Sequence, residues 1–89
     1  MLTENVQLGQ FVRSVAGRDK GKYYLIYDVL NEAFVRIIDG EKKRINNPKK
    51  KNIKHLEFFP QKADDIAEMI RKGETVSEQE VLRIIKSLG

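Results

Sequence analysis

The chain has 89 residues, with 17 Lys+Arg, 13 Asp+Glu and one His, for a formal net charge of +4 at pH 7. It contains no Cys, which excludes a disulfide framework and a thiolate metal site, and it has no apolar run near the roughly 20 residues of a membrane helix. This length allows one domain, or one domain with an appendage, and a core that is small in either case.

Met1–Asn5 has neither a basic segment nor the start of a long apolar run, so no secretory signal is expected and a cytoplasmic location is. From Val6 to Phe58 the chain reads as short strands separated by turns. Phe11 to Val15 is the first strand, and Tyr23 to Leu30, rich in aromatic and β-branched residues, is the second. After a turn at Asn31-Glu32, Ala33 to Ile38 forms the third, with Val35 and Ile37 on one face and Phe34, Arg36 and Ile38 on the other. Asp39-Gly40 signals a hairpin, because Gly supplies the positive φ of a tight turn. Lys43 to Asn46 is expected to return antiparallel. Asn47 to Asn52 reads as a loop, since Pro48 cannot donate to a ladder. Ile53 to Phe58 is the last strand. Five strands so closely spaced predict a mainly β fold, a small closed barrel over residues 1–59.

The pattern changes at Phe59-Pro60. Ala63, Ile66, Ala67 and Ile70 follow helical spacing, with Asp64 and Asp65 in the first turn and Arg71 and Lys72 in the last, matching the helix dipole at both ends. Gly73 is a C-terminal stop. Ser77 and Glu80 form a capping box for a second helix, Val76 and Val81 a hydrophobic staple, and Val81, Ile84, Ile85 and Leu88 its apolar stripe. Residues 60–89 are thus expected to form a two-helix extension whose stripes are buried against each other, the barrel or a partner.

The charge is uneven along the chain. Residues 1–59 hold 12 Lys+Arg against 7 Asp+Glu, a balance of +5, and residues 60–89 hold 5 against 6, a balance of −1. The first part is the candidate for a polyanion partner, although a Lys-rich surface also keeps a small protein soluble. Within it, Gly17 and Gly21 bracket a loop carrying Arg18, Lys20 and Lys22. Glycines let such a loop lie flat on a sugar-phosphate backbone, and Arg18 can fork two hydrogen bonds to one phosphate. Downstream, Lys42, Lys43, Arg44, Lys49, Lys50, Lys51, Lys54 and His55 place eight charged or chargeable groups within 14 residues. Adjacent lysines repel unless an anion screens them, though most such runs are merely solvated. Arg13 precedes the glycine loop on the first strand. Tyr23, Tyr24, Tyr27 and Phe34 are shared between a base-stacking face and the core, with about half expected inside. Phe58 and Phe59 are expected to pin the barrel to the helices. His55 lacks the company of other ligating side chains, so bonding a phosphate or stacking on a base suits it better than a metal. The acidic residues are accounted for by helix capping. With no nucleophile–base set and no phosphate loop of NTPase type, neither an enzyme nor a cofactor nor a small-molecule substrate is expected.

Gly9-Gln10-Phe11-Val12-Arg13-Ser14-Val15-Ala16-Gly17-Arg18-Asp19-Lys20-Gly21-Lys22 resembles a KOW motif. With Tyr23–Leu30, Phe34-Val35 and Lys49-Lys50-Lys51-Asn52-Ile53-Lys54-His55-Leu56 it resembles the fourteen-e type of archaeal and eukaryotic large-subunit ribosomal proteins. Small bacterial KOW-domain RNA-binding proteins share the pattern, and the chain is most similar to one of them. The resemblance spans about residues 6–58. It implies an SH3-like barrel that binds ribosomal or other structured RNA, chiefly through the loop between the first two strands. That role would fall to Gly17, Arg18, Lys20, Gly21 and Lys22, with Asp19 shaping the loop. A second basic contact would come from Lys49, Lys50, Lys51, Lys54 and His55, joined by Arg13, Lys43 and Arg44. The resemblance implies nothing for the two-helix extension. The expected partners are RNA and, beside it, ribosomal proteins. A different class of function, an adaptor docking on the transcription or translation machinery through the barrel or the helices, fits the same composition.

Overall fold

The computed structural model describes residues 6–88. Met1–Asn5, Gly89 and the side chain of Leu88, on which the signal-segment and helix-stripe expectations partly fell, lie outside the described residues. Five strands form one antiparallel sheet: β1 (Gln10–Ser14), β2 (Tyr23–Val29), β3 (Phe34–Ile38), β4 (Lys49–Asn52) and β5 (Leu56–Lys62), in the order β4-β3-β2-β1-β5. A single 3-10 turn, Ile53–His55, joins β4 to β5, and two helices follow, α1 (Asp64–Lys72) and α2 (Glu78–Leu88). The fold is mainly β, an SH3-like barrel followed by a helical hairpin, as expected.

Period-two alternation divides the apolar side chains between two cores. Val12, Tyr24, Ile26, Val35 and Ile37 point into the barrel, where Ile53 and Leu56 close it. Their neighbours Phe11, Leu25 and Ile38 point to the opposite face and meet Ile66 of α1, Val76 just before α2 and Val81 of α2. The two helical stripes therefore pack against the chain's own sheet, with Ile70, Ile84 and Ile85 partly buried. Phe59 packs with this second core, whereas Phe58 packs against the first. Of the two phenylalanines, then, Phe59 alone joins barrel to helices. The capping signals hold at the backbone: Gly73 ends α1 at φ +75°, and the Glu80 N–H donates to the Ser77 hydroxyl at 3.3 Å. The Glu80 carboxylate turns to Arg83, so only half of the expected capping box forms.

The structure corrects the sequence reading between residues 39 and 62. Lys43–Asn46 is not a strand. Asp39 Oδ1 accepts the N–H groups of Glu41 (2.9 Å) and Lys43 (2.8 Å), and the Ile45 N–H is taken by Glu78 Oε2 of α2 at 2.9 Å. These backbone groups serve a loop that docks on the helix instead of a ladder. The strand that pairs with β3 is Lys49–Asn52, which the sequence suggested was loop; Arg36 lies opposite Lys50 and Ile37 opposite Lys49. β4 is an edge strand, where Lys49 and Lys50 are tolerated because they are exposed to water and Lys51 because Asp19 pairs with it, and where charge discourages pairing with another chain. The last strand starts at Leu56 and runs through Pro60 to Lys62. β5 is the other edge, and its register with β1 shifts between Val12↔Phe58 and Gln10↔Lys62, an irregularity that accommodates a residue without N–H.

Candidate nucleic-acid interface

The β1–β2 loop is built around Asp19. Its Oδ1 accepts from the Ser14 hydroxyl (2.8 Å) and from Lys51 Nζ (2.9 Å), and its Oδ2 accepts from the Tyr24 hydroxyl (2.9 Å). Burial raises the carboxyl pKa, but the hydrogen bonds from Lys51, Ser14 and Tyr24 and the Lys51 charge outweigh it and hold the group at about 2. Tyr24, 1% exposed, is pushed up by burial and by its bond to Asp19, so it stays a donor. Asp19 thereby ties β1, β2 and β4 together beneath the loop. Gly17 and Gly21 take φ of +85° and +92°, values that admit the tight path. The backbone closes on itself through Gly21 N–H to Ser14 O at 2.7 Å and Lys22 N–H to Asp19 O at 3.0 Å.

The fold brings the two basic segments together. Arg18 from the loop, Lys43 from the 39–48 loop and Lys49 from β4 surround a concavity of about 320 Å³ that has Asp19 and Lys51 in its wall. Lys51 and Asp19, only 13% and 18% exposed, neutralise each other. Arg18, Lys43 and Lys49 have no ion-pair partner among the described residues, so the concavity is positive. The Val15 N–H donates to His55 O at 2.9 Å, which sets the exposed Lys54 and His55 beside the same loop.

The remaining candidate residues are placed differently. Lys20 and Lys22 are exposed, with Lys22 at the far end of the loop. Arg13 lies opposite Glu57 on β5 and pairs with it at 2.6 Å. Arg44 Nε donates to Glu41 O at 2.9 Å. Lys50 points to the opposite face of β4 from Lys49 and Lys51, and sits 4.4 Å above the Phe34 ring. The four aromatic rings do not form one stacking face. Tyr24 is core, Phe34 lies under Lys50, Tyr27 lies under Arg36, and Tyr23 packs 6.0 Å from Phe59. α2 adds a cation that sequence reasoning passed over, Lys86, which lines a second depression with Lys22. No local signal marks it, because its proximity to the loop is created by the packing of α2.

Among the described residues no group of three His, Cys, Asp or Glu side chains is placed to hold a metal, and no helix is long and apolar enough to cross a membrane. The arrangement is that of a cationic concavity lined by Arg18, Lys43 and Lys49.

No protein-family model matches the chain. Large ribosomal subunit protein eL14 of Staphylothermus marinus is 33% identical over 85 residues, spanning 94% of this chain and 80% of that protein. The eL14 proteins of Aeropyrum pernix and Pyrobaculum islandicum are 31% and 29% identical, again over 94% of this chain and over 77% and 75% of their own lengths. All three sources are archaeal. Coverage of 94% extends well past the KOW-like segment into the helices, which the sequence resemblance had left out.

Proposed function

This chain belongs to the family of large ribosomal subunit protein eL14, and on that premise we propose that it binds structured RNA, ribosomal RNA foremost, as a non-enzymatic component of the translation apparatus in the cytoplasm. It would act in the manner of the small bacterial KOW-domain RNA-binding proteins its Gly9–Lys22 stretch resembles, with ribosomal proteins as neighbours and without a cofactor. The observation that carries this reading is the convergence of Arg18, Lys43 and Lys49 on one concavity while Asp19 and Lys51 neutralise each other beneath it. Gly17 and Gly21 let the loop approach the backbone, and Lys20, Lys22, Lys54 and His55 extend the contact. Arg13, Arg44 and Lys50 flank it, and Lys51 acts through Asp19. Folded RNA offers phosphates and shape more readily than base edges, so the contact is electrostatic and shape-selective.

Binding of the full chain to large-subunit ribosomal RNA tests this. With about five phosphates neutralised, the log–log salt slope is expected near −4. The triple charge reversal of Arg18, Lys43 and Lys49 to Glu is expected to weaken binding and flatten the slope by roughly two to three. Sedimentation of the tagged protein with large subunits at low salt, and its release at high salt, is the cellular counterpart. Binding with a salt-independent affinity would instead support the adaptor reading. Ile66 and Val81 of the helical stripes are already buried in the chain's own second core, so an adaptor would need a surface other than those positions.

A further inference from the structure

The depression where α2 crosses the 39–43 loop shares only Lys22 with the contact just described. Tyr23, Leu82 and Ile85, all partly exposed, give it an apolar floor, and Lys22, Lys42 and Lys86 line it with positive charge against the carboxylates of Asp39 and Glu41. Its walls are fixed by packing. Gly40 has φ +78°, and a Cβ there would collide with Glu78 O and lie 2.7 Å from Leu82 N, so loop backbone rests directly on helix backbone. Glu78 Oε2 anchors the other end of the loop through the Ile45 N–H. The volume, about 360 Å³, is at the low end of small-ligand sites, which run from roughly 300 to 1,000 Å³. Such a groove accepts one planar group and not a helix.

None of Lys22, Lys42 and Lys86 has an ion-pair partner among the described residues. An apolar floor with an aromatic ring, and above it three lysines held in no ion pair that outnumber the two carboxylates Asp39 and Glu41, is complementary to an unpaired nucleotide, which offers a flat π face beside a phosphate. Lys22 ends the loop that carries Arg18 and Lys20, so the groove continues the proposed RNA surface. Asp39 lines it too. Its Oδ1 accepts two backbone N–H groups, and its Oδ2 has no hydrogen-bond partner among the described residues. A carboxylate oxygen accepts from an exocyclic base amine.

We propose that this groove receives one unpaired nucleotide of the bound RNA, with the base against Tyr23, Leu82 and Ile85, the phosphate on Lys42 and Lys86, and Asp39 favouring a base that bears an amino group. The inference rests on the RNA-binding reading, and its test separates the two. Fluorescence anisotropy would compare the full chain on two hairpin RNAs, identical except for a one-adenine bulge in the stem. The bulged probe is expected to bind roughly tenfold tighter. The Lys42→Glu/Lys86→Glu double variant, whose sites are exposed, and Tyr23→Ala are each expected to abolish that preference. A uridine bulge is expected to give a several-fold smaller preference than adenine. Arg18→Glu is expected to weaken both probes alike. Equal binding of the two probes by the full chain, or a bulge preference that survives the double variant, would overturn the nucleotide site, leave the RNA reading standing and assign the groove to a protein segment. Failure to bind either probe would remove both.

Discussion

At the scale of single residues, Asp19 organises the β1–β2 loop from beneath. A carboxylate within a loop proposed to meet phosphate would be repulsive unless its charge were spent, and here Lys51, Ser14 and Tyr24 spend it. Its pKa is held at about 2, below the ordinary value of 3.8. The group is depressed on folding, so its contribution is full above about pH 4 and is lost as the pH falls toward 2. That contribution is on the order of 2 kcal/mol. Asp19→Asn is therefore expected to lower stability by about that amount at pH 7 and to flatten the loss of stability between pH 4 and 2. Denaturant titrations across that range check it, and parallel acid limbs for the two proteins would detach Asp19 from the effect. Sequence reasoning recognised that Asp19 shapes the loop but had no access to its partners. Lys51 is 32 residues away, and the contact exists only because β4 returns beneath the loop.

Among the elements, β4 separates what was legible from what was not. β2 and β3 are dense in β-branched and aromatic residues, and α1 and α2 carry regular apolar spacing with their stops and caps, so local pattern found all four. β4 reads Lys-Lys-Lys-Asn after Pro48, and nothing in that composition favours a strand. It is one because β3 offers it an open edge and because solvent accepts its side chains. Asp39-Gly40 misled in the opposite direction. The positive φ at Gly40 is real, yet it permits contact with α2 and not a two-residue hairpin. The convergence of the basic segments was foreseen as a possibility of topology, but which lysines converge required the strand. Alternation along β4 sends Lys49 and Lys51 to one face and Lys50 to the other, over Phe34. Lys49→Ala is therefore expected to weaken RNA binding several-fold more than Lys50→Ala, although the two residues are adjacent and chemically identical. Equal losses, measured in the same filter-binding series, would mean that the charge run acts as a diffuse cloud and that the concavity does not select among its lysines.

For the whole molecule, the question is whether the barrel, which ends with β5 at Lys62, and the helices α1 and α2 are separable. The sheet argues that they fold together. β1, β2 and β3 feed both cores with alternate side chains, so Leu25 and Ile38, each fully buried, lie in a core that the helices complete with Ile66 and Val81, beside Ile45 and Phe59. The second core is built from Phe11, Leu25, Ile38, Ile66, Val76 and Val81, and at roughly 1.5–3 kcal/mol for each fully buried side chain its burial is worth at most about 9–18 kcal/mol. That is comparable to the whole net stability of a typical domain, about 5–15 kcal/mol, so the barrel has no margin to lose it. We propose that the two segments form one cooperative unit, with the +5 balance on the barrel held against RNA by a nearly neutral support. Thermal unfolding followed by far-UV circular dichroism at a helical wavelength and by tyrosine fluorescence, which reports the β2 ring cluster, is expected to give one coincident transition. A chain ending at Ala63 is expected to be unfolded or aggregated, because the strand faces that α1 and α2 cover become an exposed apolar patch on a sheet with two open edges. A helical transition well below the tyrosine transition, together with a folded truncated chain, would make the extension a separate module and return the search for its role to a partner outside the chain.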